Sequence, residues 1–192
     1  MAVKQLRVDK PSSSSDSGYR RALSFLKEMQ LMMDLKHTNV VEFLGGCLQN
    51  GQVSMVFELC TASLHELLHQ STILHQSLCI PVAVQLKWAR EIAAGVRYLH
   101  ERDPPVVHRD LKPGNVLLTY EWIAKISDFG SARTKVDQVI QTAHIGTCQW
   151  TAPEVLRQQA HDERADSYSF AVLMYGVASR KMPYEGMSLQ QV

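Results

Sequence analysis

Three short segments, VVHRDLKPGNVLL, KISDFGSAR and GTCQWTAPEV, occur in this order and constrain the fold more than any other feature of the sequence. The first places Asp110, Lys112 and Asn115 on one loop between short apolar runs that are typical of strands. A loop braced on both sides can hold a base, a cation and an amide at fixed separations. In the second segment Asp128 ends a strand, and Gly130 two residues later permits a sharp turn of the backbone.

Asn115 and Asp128 are candidate metal ligands. Both side chains offer oxygen atoms, which are the ligands that Mg²⁺ prefers. Two residues are too few to hold the ion unless phosphate oxygens complete its coordination shell. The pattern therefore predicts a nucleotide as well as Mg²⁺.

The first third of the chain predicts a strand, a loop and a helix. MAVKQLRV is strand-like and contains the single lysine Lys4, and DKPSSSSDSG has the composition of a loop. A helix is expected from about Tyr19 to Lys36. Its apolar residues form two neighbouring rows at helical spacing, one with Leu26, Met29, Met33 and Leu35, the other with Ala22, Phe25 and Met32.

The remaining elements follow from turn and cap signals. Asn50-Gly51 lies between two β-prone runs and predicts a hairpin. Ser63 and Glu66 form a capping-box pattern before a short helix, and a long helix is expected from Pro81 to about Glu101. Strands are expected at VVH, NVLL and IAKIS, with a final helix beginning near Asp166. This order of elements indicates an α+β protein with an N-terminal sheet and a mostly helical remainder.

Composition excludes several classes of function. The chain has 192 residues, 45% of them hydrophobic, and a net charge of +1 without a basic stripe, so neither nucleic acid nor an anionic membrane is an expected partner. The four cysteines form no CxxC pair, which argues against a disulfide scaffold or a structural zinc site. The longest apolar stretch is about half of the roughly 20 residues that a bilayer requires. We therefore expect a soluble cytoplasmic protein without a membrane segment.

The three segments resemble the motifs of the eukaryotic protein kinase catalytic domain, and the resemblance covers essentially the whole chain. HRDLKPGN is similar to the catalytic loop of that family, DFG to its metal-binding turn, and APE to the end of its activation segment. The resemblance implies a two-lobed α+β fold. Residues 1–60 would form part of the N-lobe and the hinge, and residues 61–192 part of a mostly helical C-lobe.

The resemblance assigns roles to the catalytic-loop residues. Asp110 would accept or orient the proton of the substrate hydroxyl, and Lys112 would neutralise charge on the transferred phosphoryl. Asn115 and Asp128 would hold Mg²⁺, and ATP would be the phosphoryl donor. Phe129 would pack in the core with His108 as part of a regulatory column. Asp166 would cap the N-terminus of the last helix and hold the catalytic loop.

The resemblance also predicts the ATP-binding residues. Lys4 in AVK matches the phosphate-binding lysine of the family, and Glu28 is its expected ion-pair partner, since Lys27 points about 100° away around the helix. MVFELC matches the hinge. Phe57 would be the gatekeeper, the backbones of Glu58 and Cys60 would meet the adenine edge, and Leu117 would also contact ATP.

Substrate class and regulation are further expectations from the resemblance. Lys112 and Thr147 favour a serine/threonine kinase, and GTxxWxAPE with Trp150 is similar to the tyrosine-kinase-like group. Arg109 would need a negative partner, which a phosphate on the activation segment could supply. Thr142 is the first candidate for that phosphate and Thr134 the second. An upstream activating kinase or autophosphorylation would add it, and the protein substrate would carry serine or threonine.

Two features of the family are absent from the sequence. No G-x-G-x-x-G occurs, and the chain stops shortly after the last predicted helix. We therefore expect a partial kinase domain whose first strand is an open sheet edge, with an N-lobe sheet that lacks the glycine-rich hairpin and a C-lobe truncated at its C-terminus. Besides an active kinase, a catalytically inactive pseudokinase-like scaffold and a fragment that does not fold alone stay open.

Overall fold

The computed structural model describes residues 1–5, 15–49, 52–69, 80–134 and 148–187. Short 3-10 turns lie at Pro113–Asn115, Phe129–Ser131 and Cys148–Trp150. The other elements, in chain order, are β1 (Ala2–Gln5), α1 (Ser15–Met33), β2 (Phe43–Gln49), β3 (Gln52–Phe57), β4 (Ala62–Ser63), α2 (Leu64–His69), α3 (Val82–His100), β5 (Val106–Val107), β6 (Val116–Leu118), β7 (Ala124–Ile126), β8 (Arg133–Thr134), α4 (Pro153–Leu156) and α5 (Arg164–Ser179).

The first sheet has three strands in the order β1-β3-β2, and β3 is antiparallel to both neighbours. Gln49 lies opposite Gln52, the register that the predicted two-residue hairpin turn requires. The turn residues, Asn50 and Gly51, lie outside the described residues. Within the described part of this sheet β1 is an edge strand, as predicted for the first strand.

Helix α1 begins and ends earlier than the predicted range, and only part of its broad apolar face is buried. Leu26 and Met33 are 45% and 58% exposed, whereas Phe25 and Met32 of the other row are buried together with the carboxylate of Glu28. Leu35, placed in the first row and lying just after the end of α1, is also buried. The two rows adjoin on one broad face of the helix, so spacing alone could not choose between them.

The second half of the chain packs around α3. Of the apolar residues that the sequence places about one turn apart along this helix, Trp88, Ile92, Val96 and Leu99 are buried and Val84 is partly buried. A Cβ atom on Gly95 would lie 2.7 Å from the carbonyl oxygen of Asn39 and 2.9 Å from Ile126 Cδ1. Glycine therefore allows α3 to approach the loop before β2 and strand β7 closely. Helix α5 packs beside α3, and its Leu173 and Val177 are buried in the same core.

Short strands flank the loops in the second half of the chain. Strands β4, β6 and β7 form one antiparallel sheet, and β5 pairs with β8. The predicted capping box is present, since Ser63 N donates to Glu66 Oε2 at 2.6 Å and Glu66 N donates to Ser63 Oγ at 3.1 Å. No helix in the described part of the chain is long and apolar enough to cross a membrane. These elements confirm the predicted α+β fold, with the sheet first and helices after it.

Candidate active site

The loop between β5 and β6 brings the three predicted catalytic side chains together. Lys112 Nζ donates to Asp110 Oδ2 at 2.8 Å, and Asn115 Nδ2 donates to the same oxygen at 2.9 Å. Asn115 Nδ2 also donates to the Asp110 carbonyl oxygen at 2.8 Å, across the 3-10 turn that ends this loop. The amide nitrogen of Asn115 thus faces Asp110, which leaves its amide oxygen as the atom suited to a cation.

Asp166, on α5, binds the backbone of the β5–β6 loop. Its carboxylate is fully buried and accepts hydrogen bonds from His108 N and Arg109 N, each at 2.8 Å. His100 Nε2 lies 2.8 Å from Asp166 Oδ2. Arg109 has a φ of 68°, an unfavourable value for a residue with a side chain, and the Asp166 contact fixes it there.

The prediction that Asp166 caps its own helix is wrong. The capping position is Glu163, and Asp166 lies within the first turn of α5 with its carboxylate directed at the β5–β6 loop. His108 N is buried and Arg109 N is partly buried, so each needs an acceptor, and the Asp166 carboxylate supplies it. The predicted second role of Asp166, holding the catalytic loop, is confirmed.

Lys4 joins two carboxylates that come from distant parts of the sequence. Its Nζ lies 2.6 Å from Glu28 Oε1 and 2.9 Å from Asp128 Oδ1. The Glu28 side chain is 6% exposed, in agreement with the choice of Glu28 over the exposed Lys27. Asp128 has a φ of 60°, which turns the chain sharply as β7 ends.

Burial and charge act against each other in this cluster. Burial opposes the charged form of Asp128, but the Lys4 ammonium outweighs it and holds the pKa of this carboxyl below its usual value. Burial likewise opposes the charge of Lys4, but hydrogen bonds and charges from Glu28 and Asp128 raise the pKa of the ammonium. Burial raises the pKa of Glu28, although Lys4 acts in the opposite direction. Lys4 and Asp128 are therefore both charged at neutral pH.

Backbone contacts connect Asp128 to the loop of Asp110. Ser127 N and Ser127 Oγ donate to the Asn115 carbonyl oxygen at 2.9 and 3.0 Å. The His108 and Phe129 rings meet edge to face at 5.1 Å, and both side chains are buried. His108 Nε2 lies 3.0 Å from the Ser127 carbonyl oxygen. The packing role predicted for His108 and Phe129 is thus present, and it fixes Asp128 relative to the loop.

A cavity of about 470 Å³ lies between the first sheet and strand β6, within the size range of small-molecule sites. Apolar side chains, among them Val41 and Met32, form part of its wall, and Lys4 and Asp128 contribute charges. Every predicted ATP-binding residue lines it: Lys4, Glu28, Phe57, Glu58, Cys60, Leu117 and Asp128. Burial raises the pKa of the Cys60 thiol, so this cysteine is not an activated nucleophile.

The candidate metal ligands of this site, Asn115 and Asp128, fit a nucleotide with Mg²⁺ better than a metal ion alone. Among the described residues no group of three or more His, Cys, Asp or Glu side chains is arranged to hold a metal ion. Asn115 and Asp128 offer the hard oxygen atoms that Mg²⁺ prefers, so phosphate oxygens would have to complete its shell. The apolar wall suits a base, and the Lys4 ammonium suits a phosphate.

The predicted regulatory positions are only partly visible. Thr142 and Thr147 lie outside the described residues. The backbone of Thr134 pairs with Val106 between β8 and β5, and its side chain lies outside the described ones. The proposed phosphate partner of Arg109 therefore stays a prediction.

Two polar residues near the site were missed by the sequence analysis. His100 lies in the last turn of α3 and reaches Asp166, and Lys125 on β7 pairs with Glu58 at 2.8 Å. His100 lies outside the three segments, and Lys125 is the first residue of KISDFGSAR but was given no role there. Both contacts join segments more than 60 residues apart. The only local signal was a polar side chain within or beside an apolar run.

Comparisons with known proteins agree with this geometry. A family model described as protein kinase domain matches residues 1–192. Serine/threonine-protein kinase CTR1 of Arabidopsis thaliana is 38% identical over 174 residues, which are 90% of this chain and 21% of that protein. The probable serine/threonine-protein kinase drkA of Dictyostelium discoideum is 38% identical over 169 residues, 88% of this chain and 25% of that protein. Serine/threonine-protein kinase STY17 of Arabidopsis thaliana is 34% identical over 161 residues, which are 83% of this chain and 27% of that protein.

Proposed function

The chain belongs to the protein kinase domain family, and we propose that it transfers the γ-phosphoryl group of ATP to serine or threonine hydroxyls of proteins. The family predicted from the three motifs is confirmed by the match over residues 1–192. The chain spans about a fifth to a quarter of the length of the relatives compared above. Activity, substrate and partners are therefore proposals for this chain.

The observation that supports the proposal most is the position of Lys4 between Glu28 and Asp128. An ammonium within 2.9 Å of both carboxylates is a fixed positive charge at the wall of the cavity. Glu28 is buried and orients the lysine, and Asp128 stays ionised because its pKa is lowered. These are the features that a site for a polyanionic nucleotide requires.

The loop of Asp110 supplies the second half of the proposed chemistry. Asp110 would accept the proton of the substrate hydroxyl as the hydroxyl oxygen forms its bond to the γ-phosphorus and the bond to ADP breaks. Lys112 and Asn115 hold the Asp110 carboxylate in place through Oδ2. Lys112 would also balance charge on the phosphoryl group in flight. Mg²⁺, held by Asn115 and Asp128, would neutralise phosphate charge.

Replacing Asp128 by Asn tests the proposal. The full chain should phosphorylate a generic protein substrate rich in serine and threonine, and Asp128→Asn should abolish the transfer measured with radiolabelled ATP. Asp162→Asn is a matched control, because Asp162 is a partly exposed acid paired with Arg164 beside α5. Equal activity in Asp128→Asn and the unaltered chain would contradict the assignment. ATP binding without any transfer would support the scaffold alternative.

We also propose that the division at residues 60 and 61 separates the N-lobe part with its hinge from the C-lobe part. The first sheet and α1 precede this boundary, and the other helices of the described residues follow it.

Membership of the tyrosine-kinase-like group rests on the GTxxWxAPE pattern. Activation by phosphate on Thr142 or Thr134 is the corresponding regulatory proposal, and phosphopeptide mapping of an active sample tests it.

A further inference from the structure

An ion pair lies behind the proposed hinge, on residues whose side chains have no assigned role. Lys125 Nζ is 2.8 Å from Glu58 Oε1, and the two side chains are 13% and 22% exposed. The family resemblance uses only the backbone of Glu58. Because the pair is mostly shielded from water, its charges interact more strongly than those of a surface pair.

Glu58 is held from a second direction by the segment that precedes β2. Its Oε1 accepts a hydrogen bond from Glu42 N at 2.6 Å, and its own N–H donates to the Glu42 carbonyl oxygen at 3.0 Å. One carboxylate oxygen therefore receives both the Lys125 ammonium and a backbone N–H. This arrangement fixes the side chain and the backbone of Glu58 together.

The same segment is bound to β7, the strand that carries Lys125. Val41 N donates to the Ile126 carbonyl oxygen at 2.9 Å, and Ile126 N donates to the Asn39 carbonyl oxygen at 2.9 Å. Strand β7 ends two residues before Asp128. The ion pair thus connects the edge of the cavity where the adenine would bind to the strand that places the proposed metal ligand.

We propose that Lys125 is a positioning residue for the nucleotide: its ion pair with Glu58 fixes the hinge backbone relative to Asp128. The inference rests on the proposed kinase function. Lys125 is not among the cavity-lining residues, so its effect passes through Glu58. Loss of the ammonium leaves a shielded carboxylate that must turn toward water, which moves the backbone at the adenine edge. Nucleotide binding weakens, whereas the loop of Asp110 is unchanged.

The test measures KM for ATP and kcat separately in the full chain, together with direct binding of ATP. Lys125→Met, which keeps the length of the side chain but removes its charge, should raise KM and the dissociation constant for ATP about three- to tenfold. The kcat should stay within about twofold of the unaltered chain. Lys125→Arg keeps the charge and should restore most of the affinity. Glu58→Gln, which retains an acceptor for Glu42 N, should resemble Lys125→Met and serves if that variant does not fold.

Lys87→Met is the matched control, since Lys87 pairs with Glu91 at 3.8 Å on α3 and lies outside the cavity lining. It should leave KM unchanged. If Lys125→Met and Glu58→Gln lower the melting temperature but bind ATP with unchanged affinity, the pair is only structural and the inference is wrong. A rise in kcat at unchanged KM would also overturn it, because the pair would then restrain the enzyme. An unaltered chain that neither binds ATP nor transfers phosphate would instead refute the proposed function, and the inference with it.

Discussion

Replacing Asp166 by Ala should destabilise the protein more than most single substitutions. The carboxylate is fully buried, and its two oxygens accept from His108 N, Arg109 N and the His100 ring. Alanine removes all three acceptor contacts and leaves the donors facing a small cavity in place of the carboxylate. The φ of 68° at Arg109 would also lose the contact that holds it.

The size of the effect follows from the two backbone N–H groups that lose their acceptor. A buried donor left without a partner costs about 1–3 kcal/mol, so two such groups account for about 2–6 kcal/mol. We expect a loss of about 3–5 kcal/mol in the free energy of unfolding, a large share of the roughly 5–15 kcal/mol typical of a domain. For a chain of this size the melting temperature should fall by about 6–20 °C. Asp166→Asn keeps one carbonyl oxygen and should lose about half as much.

Urea unfolding followed by circular dichroism gives the free energy, and kinase activity under stabilising conditions gives the effect on the loop. Asp162→Ala is the control. Its Oδ1 accepts a hydrogen bond from Arg164 N at the start of the same helix, so it should cost about 1 kcal/mol or less. If Asp166→Ala costs no more than Asp162→Ala, the reasoning from buried N–H groups is wrong.

Two further predictions concern the Lys4 cluster and the close contact of α3. Lys4→Met leaves Glu28 buried without its ammonium, so the already raised pKa of Glu28 rises further above the ordinary 4.5. An acid whose pKa is raised in the folded state contributes its full stability below the ordinary pKa, and that stability is lost as the pH rises. The free energy of unfolding of Lys4→Met should therefore fall relative to that of Lys4→Met/Glu28→Gln above about pH 4.5. A difference between the two variants that stays constant across pH in urea titrations would contradict this. Gly95→Ala places a methyl group 2.7 Å from the Asn39 carbonyl oxygen, so it should cost about 1–3 kcal/mol for overpacking, partly offset by about 1 kcal/mol of helix propensity. A rise in the urea midpoint of Gly95→Ala would show that the loop yields to the methyl group.

The elements that depend on neighbouring residues could be predicted from the sequence. The capping box of Ser63 and Glu66, the buried face of α3 and three of the five short strands of the second half, β5, β6 and β7, appear where their local patterns indicated. Each depends on contacts within a few residues or on one uninterrupted periodicity. The pairing of Gln49 with Gln52 is of the same kind, because the hairpin turn sets its register.

The buried side of α1 could not be predicted from periodicity alone, because two apolar rows were available. In the tertiary structure the side of α1 that carries Glu28 is buried, because that side faces the lysine on β1. Leu26 and Met33 consequently stay exposed even though they are as apolar as the residues that were buried. The family resemblance had identified Glu28 as the inward residue, so the motif was a better guide here than the hydrophobic pattern.

The polar contacts that assemble the site join residues that are far apart in the sequence, so no local pattern can reveal them. Lys4 is 24 residues from Glu28 and 124 from Asp128, and Asp166 is 57 residues from Arg109. Each of these contacts pairs a charge or a buried N–H group that would otherwise be costly to remove from water. The same bonds that stabilise the fold therefore fix the distances between the proposed catalytic groups. A substitution that breaks one of them should change stability and activity together, whereas an exposed residue of α1 such as Met33 should change neither.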